Sequence, residues 1–154
     1  ERQLTIATAG YSGRALPAKL GFADGMAGAF VALPDGLSEL AASVAFGSVD
    51  RCSDWAGVAG KARGYDAVHA FTTSRAELER HLPALEAAIR PDGMIWVSWP
   101  KRASRVATDV TEDVVRAAAL RGDLVDVKVA AVDETWSGLK LVIRKDRRQK
   151  RDGN

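Results

Sequence analysis

Lys101 is the residue of this 154-residue chain best placed for binding chemistry. It is a cation just beyond an apolar run, 94–99, and Arg102 and Arg105 follow it. An ammonium group in that position can hold a phosphate or a carboxylate. Two other apolar runs also end in short polar segments, Asp35-Gly36 after 27–33 and Thr72-Thr73 after 66–71. If the runs are neighbouring parallel strands, these segments converge at their carboxyl ends, where open α/β sheets bind ligands. Asp35, Gly36, Thr72, Thr73, Trp99 and Lys101 are therefore the candidate ligand-binding residues. Alternation along 94–99 puts Trp96 and Ser98 on one face and Val97 and Trp99 on the other, so the tryptophans either stack on a ligand or pack under helices.

The remaining chemistry is sparse. One cysteine, Cys52, and two histidines leave no metal-ligating cluster. No local motif joins a histidine to a serine or cysteine: His69 lies in an apolar run and reads as a satisfied core residue, His81 as an exposed helix residue. Ser74 has a structural role as a helix cap. The adjacent acids Asp133 and Glu134, beside Trp136, fit an exposed hairpin turn. No catalytic residue is assigned, and a non-catalytic module binding a small anionic ligand is the first functional expectation.

Four elements must position these residues. Run 27–33 is apolar throughout apart from Gly28, and runs 66–71 and 94–99 are largely apolar between turn signals, as in strands covered on both faces. Ser74 with Glu77 forms a capping box that opens a helix, along which Leu78, Leu82, Leu85 and Ile89 recur at helical spacing. Pro83 inside that stripe is expected to kink or split the helix, and 91–93 turns the chain into the next strand. Thr111 opens another helix, with Glu112 and Asp113 at its positive end. Pro17 and Gly21 bracket a short helix, 4–8 alternates weakly before a turn at 11–13, and 44–46 is expected as a brief second strand; 47–64 reads as an irregular loop with one helical turn. Val125, Val127 and Val129 alternate with Asp126 and Lys128, and the connection at 135–138 to the run 139–144 is too short for a parallel crossover. The last two strands must pair antiparallel.

These units resemble a class I methyltransferase sheet: a three-layer, Rossmann-like α/β fold, mostly parallel, ending in an antiparallel hairpin and shortened by one strand-helix unit. The stretch "RPDGMIWVSW" is similar to that family's helix-Pro-Gly-Gly-strand passage. The resemblance implies S-adenosylmethionine as cofactor, with the methyltransferase reading as the alternative function. The first loop does not favour it: only Gly36 is present, after Pro34, which offers no amide hydrogen, and Gly28 lies inside the strand. Asp50 is the one carboxylate near the second predicted strand that could hold a ribose. More narrowly, Tyr11-Ser12-Gly13, "LPAKLG" from Leu16, "SWPK" from Ser98, "ATDVTEDVVR" from Ala107 and "VDETWSGLKLVIRK" from Val132 resemble a bacterial family of short proteins, domain of unknown function 3052. That resemblance implies the same compact fold and carries over no activity or catalytic residue.

Length and composition suit one globular domain over 1–145. The net charge of +2 is uneven, since the bases concentrate at 144–152. Residues 146–154 read as a flexible basic tail, in which Arg147, Arg148, Lys150 and Arg151 are the nucleic-acid or acidic-partner candidates. A lone cysteine, with no transmembrane stretch and no secretory signal before the first strand, points to the cytoplasm. Apolar surface left by a missing strand unit would favour a homodimer.

Overall fold

Residues 15–58 and 63–152 are described in a computed structural model, with side chains through Arg148. The predicted strand at 4–8 and turn at 11–13 lie outside the described residues. The chain begins with α1 (Leu16–Leu20), β1 (Ala27–Val31), a 3-10 helix (Asp35–Ala42), β2 (Ser48–Cys52) and a 3-10 turn (Trp55–Val58). It continues through β3 (Tyr65–Phe71), α2 (Arg75–Ala88), β4 (Ile89–Pro100) and a second 3-10 turn (Arg102–Ser104). The last elements are α3 (Glu112–Leu120), β5 (Leu124–Ala131), β6 (Trp136–Ile143) and α4 (Lys145–Asp152).

The six strands form one sheet in the order β2-β1-β3-β4-β6-β5. Strands β1 to β4 run parallel, and β6 is antiparallel to both β4 and β5. Helices α2 and α3 cover one face, burying Leu78, Leu82, Leu85 and Val115 with Val68, Val97 and Trp99. Helix α1 and the 35–42 segment cover the other, burying Leu16, Leu20 and Leu40 with Phe30, Phe71 and Trp96. Each fully buried leucine contributes about 1.5–3 kcal/mol. This is the expected Rossmann-like α/β sheet with its terminal hairpin.

Local chemistry explains most boundaries. Gly21, at φ 83°, ends α1 in the left-handed conformation. The Ser74 hydroxyl accepts from the Glu77 amide at 3.1 Å, as a cap should. The reciprocal half of the box is different: the Glu77 carboxylate takes the Thr72 hydroxyl at 2.6 Å, and the Ser74 amide donates to that same hydroxyl oxygen. Thr111 caps α3 through the Val114 amide.

Four expectations are corrected. The second strand is β2, inside the predicted irregular loop, and 44–46 is not a strand. Val44 and Phe46 instead pack against the α1-side core, which accounts for their apolarity. β2 is an edge strand with mostly exposed side chains, so it carries no buried pattern to read. Pro83 does not split the helix in two: it lies inside the single helix α2. β4 begins at Ile89, its pairing with β3 shifting register between Tyr65 and Ala67 rather than starting after the 91–93 turn. Most of the segment expected as a flexible tail at 146–154 belongs to the helix Lys145–Asp152; Arg147 lies 3.7 Å from Asp123, and the Arg148 guanidinium donates to the Ile143 carbonyl at 2.7 Å.

Candidate functional site

Strands β1, β3 and β4 are neighbours, so the three polar segments meet at one end of the sheet, as the spacing predicted. They differ in what their side chains do. Asp35 and Gly36 are exposed at the start of the 3-10 helix, and Thr73 is exposed while its carbonyl accepts from the Thr108 hydroxyl at 2.7 Å. Thr72 is buried and its hydroxyl is committed to the start of α2. Trp99 is buried in the core beneath α2 and α3, so it packs rather than stacks. Lys101 is half-buried; its Nζ donates to the Asp133 carbonyl at 2.6 Å, and its amide to the Thr135 carbonyl at 2.7 Å. It ties the end of β4 to the hairpin turn.

The cavity at this end lies to one side of those loops. Phe30, Ala32, Leu33, Arg51, Cys52 and Ser53 line a cleft of about 470 Å³ at the carboxyl ends of β1 and β2. That volume is within the usual range for a small-molecule site, about 300–1,000 Å³. Ala32 turns the chain out of β1 at φ 55°, a left-handed conformation that is uncommon for alanine. Its amide donates to the Cys52 carbonyl at 2.8 Å, which holds the turn against β2. Left-handed backbone at an α/β strand end clusters at functional sites. Sequence reasoning missed Ala32, Arg51, Cys52 and Ser53 because it placed the second strand elsewhere. The signal available was the abrupt end of the 27–33 run at Pro34.

Asp50, the expected ribose carboxylate, is engaged: it accepts the Tyr65 hydroxyl across to β3. Burial first, then this hydrogen bond, pushes the Tyr65 hydroxyl above the usual phenol range. Polar character in the cleft comes instead from Arg51 and Ser53.

A second polar pair sits inside the α1-side core. His69 Nε2 lies 2.8 Å from Ser98 Oγ, both fully buried, and the imidazole stacks on Phe71 at 4.2 Å. His69 Nδ1 has no partner among the described residues. Burial lowers the imidazole from 6.5 to about 3, so the ring is neutral at ordinary pH. The geometry of a serine-histidine pair is present, but no substrate reaches it. Among the described residues, no three histidine, cysteine or acidic side chains gather to hold a metal ion. No helix among them is long and apolar enough to cross a membrane.

No protein-family model matches the chain, and no curated protein matches its sequence. Solved structures do match in shape. A SAM-dependent methyltransferase from Aquifex aeolicus superposes with a TM-score of 0.61 at 14% identity, over 82% of this chain and 87% of that one. Magnesium protoporphyrin IX methyltransferase from Synechocystis, solved with bound SAH, gives 0.57 at 12% identity, over 84% and 81%. A mutant form of MtNAS gives 0.54 at 12% identity over 82% of this chain; the chain spans 56% of that protein's length. At these identities the likeness establishes the architecture: a mixed, Rossmann-like α/β sheet of the class I methyltransferase type.

Proposed function

We propose that this protein binds an S-adenosyl ligand in the β1–β2 cleft and acts as a methyltransferase with an atypical cofactor loop. The observation that carries the reading is the coincidence of the cleft with the carboxyl ends of β1 and β2, beside the point where the strand order reverses from β1 to β3. The residues present fit the ligand in part. The left-handed turn at Ala32 brings backbone close to the cleft without a glycine. Arg51 and Ser53 supply polar groups beside apolar Phe30 and Leu33. S-adenosylmethionine, when bound, would supply an activated methyl group; Arg51 and Ser53 would hold its adenosyl portion beside Phe30 and Leu33.

A second reading, a non-catalytic module for a small anionic ligand, is favoured by one observation: Asp50 is engaged with Tyr65, and among the described residues no carboxylate lines the cleft. Membership of the domain of unknown function 3052 family is part of the same proposal and is compatible with either reading.

The test is thermal unfolding and calorimetry with S-adenosylmethionine and S-adenosylhomocysteine, on the native protein and on Ser53→Trp. Ser53 is exposed on the cleft wall, so an indole there fills the space with little effect on folding. A ligand at a hundred times its Kd adds about 2.7 kcal/mol, a shift of several degrees that Ser53→Trp should abolish. Absence of a shift with either compound would refute the adenosyl reading. A shift with another anion, also lost in Ser53→Trp, would establish the binding module.

A further inference from the structure

Lys101 ties the end of β4 to the hairpin, and the two arginines that follow it are left without an internal task. The segment 101–110 is fastened at both ends. At its start the Lys101 amide and Nζ hold the hairpin, and the Ser104 hydroxyl donates to the Lys101 carbonyl at 2.7 Å. At its end the Thr108 hydroxyl donates to the Thr73 carbonyl, the Asp109 carboxylate accepts the Arg75 amide at 2.7 Å, and Val110 is buried. Between these points the Arg105 amide donates to the Arg102 carbonyl at 3.1 Å, so both side chains leave a single turn of backbone. Both arginines are exposed, and Val106 beside them is 45% exposed.

Packing and internal pairing do not account for these two guanidinium groups. Among the described residues, the side chains of Arg102 and Arg105 make no hydrogen bond and no ion pair. Arg75, Arg90, Arg116 and Arg121, by contrast, each pair with a carboxylate. The acids of the adjoining segments are turned to main-chain amides: Asp109 to that of Arg75, and Asp133 to those of Thr135 and Trp136. Glu134 is exposed and forms no ion pair among the described residues. Arg105 also holds a left-handed backbone, at φ 63°, which suits glycine and strains a residue with a Cβ. The turn would therefore form more easily without this side chain, and strain of that kind at a strand end is a pointer to function.

We propose that Arg102, Arg105 and Val106 form a second binding site, for a small molecule that carries a phosphate or a carboxylate on an apolar body. The planar guanidinium fork matches either oxyanion with two parallel hydrogen bonds. A segment fastened at both ends leaves less backbone to order on binding. Val106 offers the apolar body a contact beside the charge. The site lies at the carboxyl end of β4, the same end of the sheet as the cleft, with β3 between β4 and β1. Under the methyltransferase reading the molecule held here is the methyl acceptor, a role that rests on that reading. The site itself does not rest on it.

The test is NMR titration of the arginine Nε–Hε signals with phenyl phosphate, benzoate and inorganic phosphate. It is run on the native protein and on Arg102→Gln, Arg105→Gly and Ser53→Trp, and the amide spectrum of each variant verifies folding. Glycine suits the left-handed backbone, so Arg105→Gly removes a guanidinium while the turn is kept. The expected result is saturable movement of the Arg102 and Arg105 signals with phenyl phosphate or benzoate, while the paired Arg116 stays still. Each arginine variant should weaken that binding about tenfold or more. Ser53→Trp, which fills the β1–β2 cleft, should leave it unchanged. The tighter of the two organic probes identifies the anion as phosphate or carboxylate. Three results would overturn the proposal: no saturable movement with either organic probe, binding that survives both arginine variants, or inorganic phosphate binding as tightly as phenyl phosphate. Saturable movement here without S-adenosylhomocysteine binding supports the site and refutes the acceptor role. S-adenosylhomocysteine binding without movement here refutes the site and leaves the adenosyl reading standing.

Discussion

Replacing His69 with phenylalanine and Ser98 with alanine should make this protein markedly less sensitive to acid. His69 is fully buried, with Nε2 on Ser98 Oγ and Nδ1 without a partner among the described residues. Its folded pKa is lowered from 6.5 to about 3, and the cause is burial. An unfolded chain takes up this proton near pH 6.5, whereas the folded chain resists until about 3. Between those values the unfolded state binds more protons, so stability rises with pH. The contribution is complete above about pH 6.5 and is lost as pH falls toward 3, at about 1.4 kcal/mol per unit. From pH 7.5 to 4.5 the loss is about 2.5 kcal/mol, a large share of a typical total of about 5–15 kcal/mol. The double variant removes the titrating ring and its partner together, so no buried hydroxyl is orphaned. Phenylalanine also keeps a ring over Phe71, now stacked at 4.2 Å. Urea unfolding at pH 7.5, 6.0 and 4.5 measures the difference, and carboxylates that titrate alike in both proteins cancel. Parallel stability-pH curves for native and variant proteins would refute the assignment of acid sensitivity to His69.

Two packing predictions use the same unfolding assay. A Cβ added to Gly138 would stand 2.9 Å from Ser98 Oγ and 3.1 Å from Trp96 Cε3 in the middle of the sheet, so Gly138→Ala should cost about 1–2 kcal/mol. Equal stability of native protein and Gly138→Ala would show that the strands have room to spare. Ser74→Ala removes the acceptor for the Glu77 amide and should cost about 1 kcal/mol, and a null effect would mean that the Thr72 hydroxyl holds the helix start alone.

The sequence alone determined what depends on near neighbours. Largely apolar runs mark β1, β3 and β4 because strands covered on both faces need no polar alternation. Ser74 and Thr111 mark helix starts because capping joins residues three apart. The short connection before β6 forces an antiparallel pair, and with the parallel units it makes the sheet legible in advance. Lys101 was recognisable as a cation at a strand end, and Ser74 as a cap. Tertiary structure decided what depends on distant partners. β2 is an edge strand with exposed side chains, so its strand character comes from pairing with β1 and leaves no apolar pattern. With β2 misplaced, the cleft formed by Ala32, Arg51, Cys52 and Ser53 had no local trace. Asp50 looked free until the sheet brought Tyr65 beside it from 15 residues away. His69 and Ser98 meet across 29 residues, and Lys19 reaches Ala131 across 112. Such pairings follow from strand order and register, which no window of local sequence contains.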